Sequence, residues 1–163
     1  MDARVSNALR VTTPSDREIV LVRTFNAPRR LVFAAMTEPK HVRQWYGSEA
    51  MTLVVCEIDL RVGGAYRFTM RAPDGVHHTM QGTYREISPP DRIVFTEGYV
   101  TEGFSSGEAL VTSVFTEAGG RTTLTATVLH TSRENRDGHL SSGMETGAGA
   151  AYDRLAAHLA TMA

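Results

Sequence analysis

A chain of 163 residues with 42% apolar and 21% charged side chains has the size and composition of one soluble globular domain with one core. Its formal charge of -1 gives no general attraction for nucleic acid or an anionic membrane, and a single cysteine, Cys56, excludes an internal disulfide. The opening stretch MDARVSNALR has neither the apolar centre of a signal peptide nor a run of about 18 apolar residues, so no membrane span and a cytoplasmic location are expected.

Residues 1–14 read as a loose polar lead-in to a single domain over residues 15–163. Glu18 to Phe25 alternates and is rich in β-branched residues, which predicts a strand. Asn26-Ala27-Pro28 then supplies a cap and a proline for a short helix whose apolar side is Leu31, Val32, Ala35 and Met36. Thr37-Glu38-Pro39 restarts the chain into a second short helix bearing Val42, Trp45 and Tyr46. From Met51 the period changes to two. Met51 to Ile58, Ala65 to Arg71, His77 to Ile87, Arg92 to Tyr99, Glu108 to Thr116 and Thr122 to Leu129 are predicted strands. The separators Val62-Gly63-Gly64, Pro73-Asp74-Gly75, Ser88-Pro89-Pro90-Asp91 and Gly119-Gly120 are short, which implies an antiparallel meander. The glycine-rich connection from Gly98 to Gly107 is expected to be mobile, a lid with Phe104 as its plug.

The turns also suggest a register. If Ala72 faces Val76, then Met70 faces His78 and Phe68 faces Met80; if Glu86 faces Ile93, then Tyr84 faces Phe95, Gly82 faces Glu97 and Met80 faces Tyr99. Both place Tyr66, Phe68, Met70, His78, Met80, Gly82, Tyr84, Ile93, Phe95, Glu97 and Tyr99 on one greasy face. Val114 opposite Leu124, Thr112 opposite Ala126 and Leu110 opposite Val128 continue it. Thr83, Arg85, Thr96, Ser113, Thr123, Thr125 and Thr127 fall on the solvated reverse. The cover for the greasy face is a helix from Leu140 to Met162, with its apolar stripe at Leu140, Met144, Ala148, Ala151, Leu155, Leu159 and Met162. Gly143, Gly147 and Gly149 interrupt it at a cost of about 1 kcal/mol each, either to let the helix approach the sheet or to leave room for a guest. The predicted class is α+β, a curved antiparallel sheet wrapped around a long C-terminal helix, with two short helices after the first strand.

Arg23 to Pro28 with Val32-Phe33, Trp45, Asp59 to Arg67, Pro73-Asp74-Gly75, Gly82 to Ile87 and Gly143 to Leu155 resemble the pattern of the Aha-type heat-shock-protein ATPase activator homologues. That family lies within the START-like (SRPBCC) superfamily. The resemblance spans residues 17 to 160 and implies the helix-grip fold and a hydrophobic cavity, but no shared catalytic residues.

Glu97 is the sharpest candidate for chemistry, because a carboxylate among Met80, Phe95 and Tyr99 would have a raised pKa. It could serve as a general acid or base, or anchor a ligand's polar group. His78 shares that face, while His77 points away, so the two cannot chelate one metal from a regular strand. No cysteine or histidine spacing fits a zinc site, no nucleotide or nucleophile motif is present, and no metal or cofactor is expected. Cys56, within a strand, reads as an inert buried thiol. The favoured function is a binding protein holding a small apolar molecule between sheet and helix. Its expected ligand-binding residues are Trp45, Tyr66, Phe68, His78, Met80, Phe95, Glu97, Tyr99, Thr112, Met144, Gly147 and Ala148. The resemblance adds two alternatives: a co-chaperone-like domain whose partner is a chaperone, and an enzyme like the polyketide cyclases and aromatases of the superfamily. A homodimer is left open.

Overall fold

The computed structural model describes residues 7–48 and 50–162. The strands are β1 (Arg10–Thr12), β2 (Glu18–Phe25), β3 (Thr52–Ile58), β4 (Ala65–Arg71), β5 (His77–Ser88), β6 (Arg92–Thr101), β7 (Phe104–Ser105), β8 (Ala109–Ala118) and β9 (Arg121–Leu129). The helices are α1 (Arg29–Thr37), α2 (Pro39–Trp45), α3 (Arg133–Ser141) and α4 (Met144–Met162). The strands form one antiparallel sheet in the order β1-β2-β9-β8-β6-β5-β4-β3, with β7 paired to β6 alone. The predicted α+β class holds: an antiparallel sheet, two short helices early in the chain, and a long helix at its end.

The β4–β5 register is the expected one, with Phe68 opposite Met80 and Met70 opposite His78. On β5–β6, Met80 faces Tyr99 and Tyr84 faces Phe95, but a bulge after Tyr84 moves Glu86 opposite Val94 and Ile87 opposite Ile93. Across β8–β9 the expectation is off by one residue. Ala118 faces Arg121 around a tight Gly119-Gly120 turn, with φ of 59° and 75°, so Val111 meets Val128, Ser113 meets Ala126 and Phe115 meets Leu124. Val111, Ser113 and Phe115 are therefore buried on the inner face, and Leu110, Thr112 and Val114 lie on the other.

Three further corrections concern whole segments. The lead-in expected to be loose contains β1, which pairs Arg10–Thr12 with β2, while residues 1–6 lie outside the described residues. The Gly98–Gly107 connection is largely strand: β6 runs to Thr101, the chain turns at Gly103 with φ of 77°, and β7 pairs back. Phe104 is 57% exposed, with its ring 6.1 Å from that of Tyr99. Lastly, the C-terminal helix does not run unbroken from Leu140. Gly143, at φ of 84°, ends α3 and α4 starts at the next residue, as a left-handed glycine after a helix does. Helix α3 has its own N-terminal signal, Ser132 Oγ accepting from the Asn135 amide at 3.1 Å.

The core is solid under one half of α4 and open under the other. Leu155 and Leu159 are buried with Phe25, Val32, Phe33, Val42, Trp45 and Phe115, clamping α4 on α1, α2 and the sheet. Burying a leucine such as Leu155 contributes about 1.5–3 kcal/mol. Met144, Ala148 and Tyr152, nearer the helix start, only partly cover Leu21, Val111, Ala126 and Val128. Arg23 adds a polar clamp: buried on the inner face of β2, it donates to Asp153 of α4 at 2.8 Å, with its guanidinium 5.3 Å from the Phe25 ring centroid.

Candidate functional site

Between the sheet and the N-terminal half of α4 lies a cavity of about 670 Å³. Its floor is the inner face of β4, β5, β6, β8 and β9, its roof is Met144, Gly147, Ala148 and Tyr152, and α1 and α2 close one side with Met36, Val42, Trp45 and Tyr46. Small residues at the roof leave the volume open. A Cβ built on Gly147 or Gly149 would meet nothing within 4 Å, so these glycines are not there to bring helix and sheet together. Gly82 acts in the opposite way. It lies opposite Tyr66 on β4, and Tyr66 crosses it to donate its hydroxyl to the Thr96 carbonyl of β6 at 2.7 Å. A Cβ at Gly82 would collide with that carbonyl, so glycine here is a condition for the close approach of β5 to β6.

Ten of the twelve residues expected at the site line this cavity: Trp45, Tyr66, Phe68, Met80, Phe95, Glu97, Tyr99, Met144, Gly147 and Ala148. Two do not. His78 stands behind the wall, its Nδ1 2.6 Å from the Tyr99 hydroxyl and its ring stacked at 6.0 Å, so that it holds Tyr99 in place. Thr112 is on the outer face for the reason of register given above. Trp45 is fixed from two sides: its Nε1 donates to the Ala35 carbonyl at 2.9 Å, and its own carbonyl accepts from Arg154 Nε at 3.0 Å.

Glu97 is the only carboxylate of the lining. It has no hydrogen-bond or ion-pair partner among the described residues, and burial pushes its pKa up to about 7. The phenols of Tyr46, Tyr66 and Tyr152 are raised as well, first by burial and then by the Glu97 charge, Tyr152 to about 12, so all three remain protonated donors. Tyr66 has spent its proton on Thr96, whereas the Tyr46 and Tyr152 hydroxyls have no hydrogen-bond partner among the described residues. His139, at the cavity edge, bonds His130 at 3.0 Å and is held to about 4 by burial and that neighbour, hence neutral. A second histidine pair, His41 and His158 at 2.9 Å, ties α2 to α4. Among the described residues no three histidine, cysteine or acidic side chains converge as metal ligands would. Cys56 is buried in the core and its thiol is raised, chiefly by burial, which makes it a poor nucleophile.

Tyr46, Tyr84, Ser113 and Tyr152 belong to the lining and were not anticipated there. Tyr152 had a signal, since it follows Met144 and Ala148 at intervals of four along one helical face. Tyr84 had one too, being on the predicted inner face.

The Activator of Hsp90 ATPase homolog 1-like protein family model matches residues 26–160. Solved structures share the architecture. A protein from Rhodobacter sphaeroides is 27% identical, with 94% of this chain and 99% of that chain covered and a TM-score of 0.87. One from Nitrosomonas europaea is 21% identical, with 92% and 98% covered and a TM-score of 0.80. A protein of the dynemicin biosynthetic locus is 25% identical at a TM-score of 0.65, covering 91% of this chain and 49% of that one. No curated protein matches the chain. No helix among the described residues is long and apolar enough to cross a membrane.

Proposed function

The chain belongs to the Activator of Hsp90 ATPase homolog 1-like family, and from that premise we propose that it is a binding protein enclosing a small, largely apolar molecule between the sheet and α4. The observation that carries this reading is the hollow of about 670 Å³ itself. Protein interiors are packed to the density of organic crystals, so a largely apolar hollow of this size supports a receptacle over a packing fault. The rings of Tyr66, Phe68 and Phe95 offer a guest apolar surface, and Glu97 with the hydroxyls of Tyr46 and Tyr152 offers a few polar handles. The likeness to a protein of the dynemicin biosynthetic locus supports the reading by setting the same fold beside small-molecule biosynthesis.

Titration calorimetry with Nile red, a neutral apolar dye, tests it. The expectation is saturable binding at a single site per chain. Met80, flanked by Phe68 and Tyr99 across the two neighbouring strands, points into the hollow. Met80→Trp should lower affinity about tenfold or more by filling that space, while the melting transition stays cooperative. Absence of saturation, or binding unchanged in the variant, would remove the cavity from the account.

A further inference from the structure

Resting on the reading of the hollow as a binding site, we propose that its occupant is a lipophilic amine in protonated form, with its ammonium group against the Glu97 carboxylate and beside the aromatic rings around it. The argument begins with the charges. Glu97 is the one acid of the lining, and no cation stands opposite it. Of the two basic side chains of the lining, Arg154 keeps its charge but is held by Nε on the Trp45 carbonyl and does not offset the Glu97 shift, and His139 is bonded to His130 and neutral. Burial is the whole cause of the Glu97 shift, as it would be for a carboxylate with no counter-charge nearby.

A guest that fills the hollow expels the water that solvates Glu97, and must then supply a hydrogen-bond partner or leave a buried carboxyl unsatisfied. An anionic guest meets a like charge. A hydrocarbon meets an orphaned acid. An ammonium group supplies both donor and charge, and the rings make the same choice, because an aromatic face carries negative potential. Phe95 and Tyr99 flank Glu97 on the inner face of β6, and Tyr46, Tyr66 and Tyr152 lie within range of its charge. Those phenols are neutral, Tyr66 donates to the Thr96 carbonyl, and the Tyr46 and Tyr152 hydroxyls make no hydrogen bond to the carboxylate, so none of them replaces a cation.

The test compares three probes of one shape by calorimetry at neutral pH: anthracenylmethylamine, anthracenemethanol and anthracene carboxylate. On the unaltered chain the amine should bind about tenfold or more tighter than the alcohol, and the carboxylate weakest, the ratio expected of a charge-assisted hydrogen bond. Glu97→Gln, of the same shape without the charge, should bring the amine to within about twofold of the alcohol. Equal binding of amine and alcohol to the unaltered chain, or an amine preference that survives Glu97→Gln, overturns the proposal while leaving the cavity reading intact. If none of the three saturates, or if all bind Met80→Trp undiminished, the cavity reading fails and the proposal with it.

Discussion

At the scale of single residues, Glu97 couples the site to the stability of the fold. Its carboxyl is moved from a usual 4.5 to about 7, so the native chain keeps a proton that the unfolded chain releases across that window. More protons bound to the native state means that stability falls as pH rises from about 4.5 to 7. Glu97→Gln has no such titration. The variant should match the parent near pH 4.5 and exceed it by up to about 3 kcal/mol above pH 7, measured by denaturant unfolding over the series. A difference that does not grow with pH would mean that the carboxyl is well solvated. Glu97 was legible in the sequence because strand alternation places it between Phe95 and Tyr99. The same alternation puts Arg23 among Ile19, Leu21 and Phe25, yet its role was not, since its partner Asp153 is 130 residues away and largely exposed. A period identifies the face of a charge and says nothing of what neutralises it.

At the scale of elements, the glycines of the C-terminal segment divide by conformation. Gly143 has φ of 84° and joins two helices, whereas Gly149 lies inside α4 with nothing within 4 Å of its would-be Cβ. Gly149→Ala should stabilise the chain by about 0.5–1 kcal/mol, and Gly143→Ala should destabilise it by about 1 kcal/mol, both checked by thermal unfolding. Equal effects of the two would contradict the break between α3 and α4. The sequence pattern could not separate these glycines, because the stripe from Leu140 through Met144 to Ala148 continues across the break at helical spacing. The face of β8 was obscure for another reason. Val111, Ser113, Phe115 and Leu110, Thr112, Val114 each hold two apolar residues and one hydroxyl, so alternation does not choose between them. The information lay in Gly119-Gly120, whose two-residue turn sets Phe115 opposite Leu124. Where Pro73-Asp74-Gly75 gave an equivalent constraint, the β4–β5 register came out residue for residue.

At the scale of the molecule, the sheet divides its labour along α4. The C-terminal half of the helix seals a packed core with α1 and α2, and the N-terminal half roofs a void. The architecture was readable from element order. The void was expected from the family resemblance and left open by the helix glycines rather than fixed by the pattern, since empty volume is a small difference between backbone spacing and side-chain bulk, and no periodicity records it. Trp45, the only tryptophan of the chain, stands in the wall of that void with its Nε1 anchored to Ala35. The molecule therefore contains an intrinsic lamp at the place where a guest would arrive. Entry of a non-absorbing apolar compound should dry one side of the indole and move its emission to shorter wavelength in step with the calorimetric titration. Emission that stays flat while heat saturates would mean that the compound settles elsewhere.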